Sequence, residues 1–227
     1  MPVFLLFLKC NEFSNFIKQA TVKEPSSQKK TIMQSDPENF NRLVMERRSV
    51  FPKQFDTSKK ISNDIVQQIL INATWAPNHG QTEPWFFKVF TGNGIKSFAA
   101  MQSSLYQEAA GELFNADKFL KLQEQPLLAS HIISIGMKRT ITKQIPEIED
   151  IEAVACAVQN IYLSVAAYGL GGYWTTGGVT YLEKAKSHFG LSGADKLLGF
   201  FYMGHIAIPS PTAKRKPMEE KVEWVMD

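Results

Sequence analysis

The sequence predicts a domain of mixed α and β structure. Apolar runs rich in β-branched or aromatic residues, at 85–90, around 127–136 and at 197–206, read as strands. The stretches between them repeat apolar residues at helical spacing. No strand run follows another directly, so helices intervene throughout.

Residues 1–36 precede this pattern. They open on PVFLLFL, an apolar run too short to span a bilayer, with no basic residues before it and no clear small-residue cleavage site after it. TVKEPSSQKKTIMQSDPEN is polar and helix-poor, like a linker. Residues 1–36 are therefore expected to be a poorly ordered N-terminal extension and 37–227 the folded domain, with Met33 an alternative first residue.

From Pro37 to Glu46, the apolar positions Phe40, Leu43 and Val44 mark a helix face. Ser62 is placed to N-cap a second helix, whose apolar side is Ile65, Val66, Ile69, Leu70 and Ala73 and which Pro77 stops. The polar loop NHGQTE leads to a buried strand from Trp85 to Phe90, closed by the turn T-G-N-G. Residues 95 to about 122 are expected to be helical, with Leu105, Ala109, Leu113 and Phe114 facing inward. Pro126 introduces the strand LLASHIISIG, and MKRTITKQIPEI is expected to be a mobile polar loop.

The clearest helix follows, with Ile151, Val154, Ala155, Val158, Ile161, Tyr162, Val165 and Ala166 on one face. Glu147, Glu149, Asp150 and Glu152 crowd its positive N-terminal end. Gly169 stops it, and GLGGYWTTGGV reads as a glycine-rich connection. Thr180 and Glu183 form a capping box for a short helix ending at Gly190. LLGFFYMGHI is the central strand. The tail after Pro209 is rich in proline and charge and closes on Val222, Trp224 and Val225.

Composition excludes some functions. The 227 residues are 44% hydrophobic and 21% charged, which describes a folded chain with one ordinary core. Residues 1–34 account for the whole net charge of +3, so the body offers no basic face for nucleic acid. Cys10 and Cys156 have neither metal nor redox spacing; Cys156, inside a helical apolar pattern, is expected to be a buried thiol, and the pair fits a reducing, cytoplasmic setting. His79, His131, His188 and His205 lack ligand spacing, so no metal site is expected. No G-x-G-x-x-G turn, P-loop or nucleophile elbow is present.

Three clusters carry chemistry. Arg47, Arg48 and Ser49 suit a phosphate, or else form the basic C-terminal end of a helix. Asn78, His79 and Gln81, on a loop pinned by Pro77 and Pro84, offer amide and imidazole groups, or simply face water in a turn. Gly171 to Gly178 surrounds Tyr173, Trp174, Thr175 and Thr176 with glycines that let a flat ligand approach, or else is a flexible connection. Together the three suit a phosphorylated planar cofactor better than a metal.

The order M-E-R-R-S-V, A-P-N-H-G-Q-T-E-P-W, G-L-G-G-Y-W-T-T-G and G-F-F-Y-M-G-H resembles the short, single-domain members of the nitroreductase-like FMN-dependent oxidoreductases, over roughly Phe40 to Trp224. The resemblance implies an α+β fold with a central, mostly antiparallel sheet flanked by helices. It also implies an intertwined homodimer with FMN at the interface. Arg47, Arg48 and Ser49 would then hold the FMN phosphate and ribityl chain. Asn78, His79 and Gln81, with neighbouring Trp75, would approach the flavin from the other subunit. Trp174, Thr175 and Thr176 would lie along it, Arg215 would add a tail contact to phosphate, and Ser164 to Gly169 would meet nicotinamide. Phe51, Trp75 and Glu83 depart from the family pattern, where basic residues and a glutamine are common. The implied activity is reduction of a nitro compound, quinone or enone by NADH or NADPH in a ping-pong cycle. The alternative is a non-redox FMN-binding or flavin-processing protein on the same fold.

Overall fold

The computed structural model describes residues 36–226. PVFLLFL, Met33 and the linker reading up to residue 35 lie outside the described residues; the last residues of that stretch, 37–39, are not linker but open a helix. Five strands form one antiparallel sheet: β1 (Phe55–Asp56), β2 (Trp85–Thr91), β3 (His131–Met137), β4 (Leu170–Thr175) and β5 (Lys196–Ile206). Five α-helices flank it: α1 (Pro37–Glu46), α2 (Asn63–Ala73), α3 (Asn93–Ala110), α4 (Ala116–Glu124) and α5 (Glu147–Ala167).

The long strand β5 is central. Met203 faces both His131 of β3 and Gly172 of β4, so β3 and β4 take its opposite edges. Short β1 pairs with the last residues of β5, and β2 pairs beyond β3. The period-2 alternation of the strands splits the core in two. On one side Ile133, Ile135, Phe201 and Met203 pack against α2 and α5, through Val66, Ile69, Val154 and Ile161 among others. On the other, Ile132, Phe200 and Tyr202 meet Phe98, Leu105 and Phe189. Each such fully buried side chain contributes about 1.5–3 kcal/mol.

Local chemistry explains the helix starts. Ser62 Oγ accepts the Ile65 N–H at 3.4 Å at the start of α2, and Asn115 Oδ1 accepts the Lys118 N–H at 2.8 Å at the start of α4. The acidic first turn of α5 sits at the positive end of its dipole.

Several expectations need correction. The helical stretch from 95 is two helices, because Gly111 adopts φ +49° in the left-handed region and ends α3. That break turns Leu113 outward (87% exposed), and Ala109 and Phe114 are also exposed; Phe98, Leu105 and Tyr106 face inward. β2 is a half-buried edge strand, since it pairs only with β3. Cys156 is exposed, because it falls on the outer face of α5. Thr180 is no N-cap: its hydroxyl donates to Gly177 O at 2.8 Å, and Leu182 precedes the 3-10 run Glu183–Phe189.

The glycine-rich connection is a strand, β4. Its glycines are demanded by packing: a Cβ at Gly171 would come within 2.9 Å of Phe55 and Val50, and one at Gly172 within 2.6 Å of the Phe201 ring. Nor does the segment after β3 hang free. Arg139 ion-pairs with buried Asp150 and donates to Ile145 O at 2.7 Å, and its backbone N–H reaches Asp195 at 3.0 Å.

Candidate functional site

The chain leaving α1 runs beside β4. Val50 N–H donates to Gly172 O at 2.9 Å, and Ser49 forms an isolated parallel bridge with Gly172. This long-range pairing brings two of the three clusters together, Arg47 to Ser49 and the end of β4.

Tyr162 of α5 joins them. Its hydroxyl accepts the Trp174 N–H at 2.8 Å and lies 3.4 Å from Ser49 Oγ, while the Arg47 guanidinium sits over its ring at 4.9 Å. In the sequence Tyr162 reads only as one more apolar helix position; the sole hint was a hydroxyl on a core-facing stripe. Ser210 is a further unanticipated contact, donating to Ser49 O at 2.9 Å.

Arg48 satisfies both readings of its cluster. Its Nη1 donates to Met45 O at 2.5 Å and Arg47 O at 2.8 Å, closing the carbonyl end of α1. Its Nε, however, is buried without a hydrogen-bond partner. A guanidinium donor left unpaired away from water is costly unless an anion meets it. Arg47 and Arg48 line a cleft of about 290 Å³ between α1, the end of α5 and residues 206–210. An orphaned cationic donor beside a second guanidinium, in a cleft of that size, fits a phosphate.

Trp174, Thr175 and Thr176 do not share one face. Trp174 turns to the α2–α5 side, where its indole N–H donates to Leu198 O at 3.1 Å. Thr175 turns to the opposite side with Tyr173, and its Oγ1 accepts the Gly177 N–H at 3.2 Å. Thr176 is exposed. Gly171 and Gly172 approach this chain's own side chains rather than opening a surface to a ligand. Gly177 and Gly178, with Thr175 and Phe51, line a second cavity of about 360 Å³.

The loop with Asn78, His79 and Gln81 lies elsewhere. His79 Nδ1 meets the Glu149 carboxylate at 2.5 Å, and Thr82 donates to Asp150 at 3.1 Å, both at the first turn of α5. Lys143 donates to Gly80 O and Gln81 O, and Asn78 Oδ1 accepts the Glu83 N–H at 3.1 Å. Gly80, Gln81 and Glu83 all have positive φ, so the loop holds a costly backbone shape. Glu149 and Tyr162 are about 20 Å apart along α5 at its ordinary rise. Within one chain the loop therefore stands apart from the Arg47 cleft. Trp75, before the loop, is 82% exposed.

Arg215 is exposed and donates to the neighbouring Lys214 carbonyl at 3.2 Å. Ser164 accepts from Asn72 at 3.0 Å and serves the α2–α5 contact. Among the described residues no group of three or more His, Cys, Asp or Glu could hold a metal, and no helix is long and apolar enough to cross a membrane.

Comparison with known proteins gives the same reading from another direction. The model of the Nitroreductase family matches residues 44–205. The Escherichia coli (strain K12) protein named "Putative NAD(P)H nitroreductase YdjA" is 30% identical over 156 residues, covering 65% of this chain and 83% of that protein. The crystal structure of a nitroreductase-like family protein from Bacillus cereus superposes with a TM-score of 0.68 at 28% identity, covering 82% of this chain and 96% of the other. The FMN-dependent nitroreductase NfnB from Mycobacterium smegmatis, solved in complex with NADPH, shares the fold with a TM-score of 0.67 at 15% identity, covering 84% and 99%.

Proposed function

The chain belongs to the nitroreductase family, and from that premise we propose that it is an FMN-dependent NAD(P)H oxidoreductase acting on an electron-poor small molecule, a nitro compound, quinone or enone. The observation that carries this reading is the buried, unpartnered Nε of Arg48 in a cleft shared with Arg47. When bound, FMN would supply the hydride and electron transfer between NADH or NADPH and the acceptor, in a ping-pong cycle.

The residues divide the remaining work. Arg47 and Arg48 hold the phosphate, and Ser49 faces the ribityl chain. Tyr162 positions Ser49 and Arg47 rather than touching the reacting atoms. Thr175, Thr176 and the backbone at 177–178 lie beside the ring, with Trp174 buttressing them from beneath. The chain works as a cytoplasmic homodimer, in which Trp75, Asn78, His79 and Gln81 of one copy reach the flavin of the other, and Arg215 closes on phosphate from the tail. The separation of about 20 Å along α5 supports this arrangement, since one chain cannot bring its own loop to its own cleft. Exposed Met45, Trp224 and Val225 offer apolar surface for a second copy to cover.

The test is the visible spectrum of the purified protein, followed by anaerobic mixing with NADH and NADPH. Flavin absorbance that bleaches with either nucleotide is the expected result. Colourless protein that takes up no FMN would refute the proposal, and retained FMN that neither nucleotide bleaches would point to a non-redox flavin protein.

A further inference from the structure

The second cavity has a charge pattern that cofactor binding at the Arg47 cleft does not use. Its floor is buried: Gln102 is 1% exposed, and Phe200 and Tyr202 close it from the sheet. Its rim is formed by Lys118 and Lys121 of α4 and by Thr175 and Gly178. Among the described residues no carboxylate lines it. Tyr202 stays neutral, because burial pushes its phenol well above the usual tyrosine range.

The two lysines are three residues apart on α4, so they share a face and repel each other. Neither forms an ion pair among the described residues; the Lys118 ammonium rests over the Tyr106 ring at 4.6 Å. The position of α4 is built, not accidental. Gln102 Nε2 donates to Leu122 O at 2.6 Å, tying α4 to α3. Gly178, at φ +68°, lets the loop after β4 come so close that a Cβ there would be 3.2 Å from Leu122. Phe51 and Tyr173, with ring centroids 4.6 Å apart, add an aromatic wall.

We propose that this cavity is an anion-selective subsite, receiving a carboxylate on a flat acceptor or the 2′-phosphate of NADPH beside the flavin segment Thr175 to Gly178. The chemistry is shared by both sources: two lysines without a carboxylate partner among the described residues, lining a neutral pocket with an aromatic wall. The inference deepens the oxidoreductase reading and rests on it for the identity of the ligand, though not for anion binding itself.

The experiment uses the full chain as purified, in wild-type form, as Lys118→Gln/Lys121→Gln and as Lys118→Arg/Lys121→Arg. Fluorine NMR with 4-fluorobenzoate and 4-fluorobenzamide reads binding without turnover. The carboxylate is expected to bind in preference to the amide, to weaken about tenfold in the glutamine variant, and to recover in the arginine variant. Equal binding of both probes, or carboxylate binding that the glutamine variant leaves unchanged, overturns the proposal. Turnover then separates the sources. A fall in the kcat/KM ratio of 4-nitrobenzoate to 4-nitrobenzamide assigns the anion to the acceptor, and a fall in the NADPH to NADH ratio assigns it to the reductant. Protein without FMN or turnover would remove the oxidoreductase reading while leaving the NMR result to decide the subsite.

Discussion

The Arg47–Ser49 cleft and the Asn78–Glu83 loop sit toward opposite ends of α5, and their polar groups are used differently. In the cleft, a buried Arg48 nitrogen has no partner, and Arg47 and Arg48 line open volume together with Glu46. In the loop, Asn78, His79 and Thr82 are engaged within the chain, and Lys143 ties down two carbonyls. A group left unpaired at some cost is prepared for a ligand, whereas a fully engaged loop contributes its shape and its exposed surface. On the function proposed above, the first is the place for an anion, and the second is an internally bonded edge presented outward.

The comparison breaks most visibly at the anchor of the loop. Asp150→Ala leaves half-buried Arg139 without the carboxylate it pairs with and should cost about 3 kcal/mol in unfolding free energy. A loss below about 1 kcal/mol in denaturant titration would mean that the loop's end of α5 does not depend on the pair. Arg48→Ala acts on the other region. It should weaken FMN retention by about ten- to a hundredfold, the value of a hydrogen bond to a charged group, measured by equilibrium dialysis. Unchanged retention would misplace the phosphate. Gly80→Ala combines a positive φ with a Cβ 2.8 Å from Ile145, and should cost about 1–2 kcal/mol by thermal denaturation, with FMN retention following only if the loop reaches flavin. Tyr162→Phe removes one hydrogen bond to Trp174, worth about 1 kcal/mol; a shift in FMN affinity beyond the stability change would sharpen the positioning role.

The slightest effect is expected under acid, and outside both regions. Buried His131 accepts from Ser130 and donates to Asn63 at the start of α2, the helix that packs on α5. Burial first, and the Lys60 charge second, hold its pKa below the ordinary 6.5. The folded state thus favours neutral imidazole. Stability from this group is complete above about 6.5 and is lost as pH falls through the lowered folded value. His131→Asn should lack that acid-side slope in unfolding free energy measured against pH.

Much of this architecture was legible in residues. Ser62 announced α2, the 3.6-residue stripe from Ile151 to Ala166 announced α5, and the β-branched and aromatic runs announced β2, β3 and β5. β4 was not legible, because glycines that serve packing under Phe201 and Phe55 look like glycines of a flexible loop. The outward turn of Leu113 and Cys156 was hidden for a related reason: a helical stripe identifies an apolar side without saying where a neighbour ends. At the site, Arg47 to Ser49 was readable as phosphate chemistry. Its junction with Tyr162 depends on a bridge between residues 49 and 172, and no local pattern encodes that distance. Nothing in the sequence set Lys118 and Lys121 apart; the fold alone places them along a cavity.

The glycine pair in β4 bears on how this pocket can change over generations. Positions 171 and 172 have no room for even one methyl group, so the start of the strand that carries Tyr173 and Thr175 is closed to drift. Heritable variation in ligand choice is thereby channelled to Tyr173 and Thr175, which line the cavity, and to the outer turns of α4, where side chains can be exchanged without disturbing the sheet. A lineage of such enzymes would diversify by repainting one rim of the cavity while the strand behind it stayed fixed.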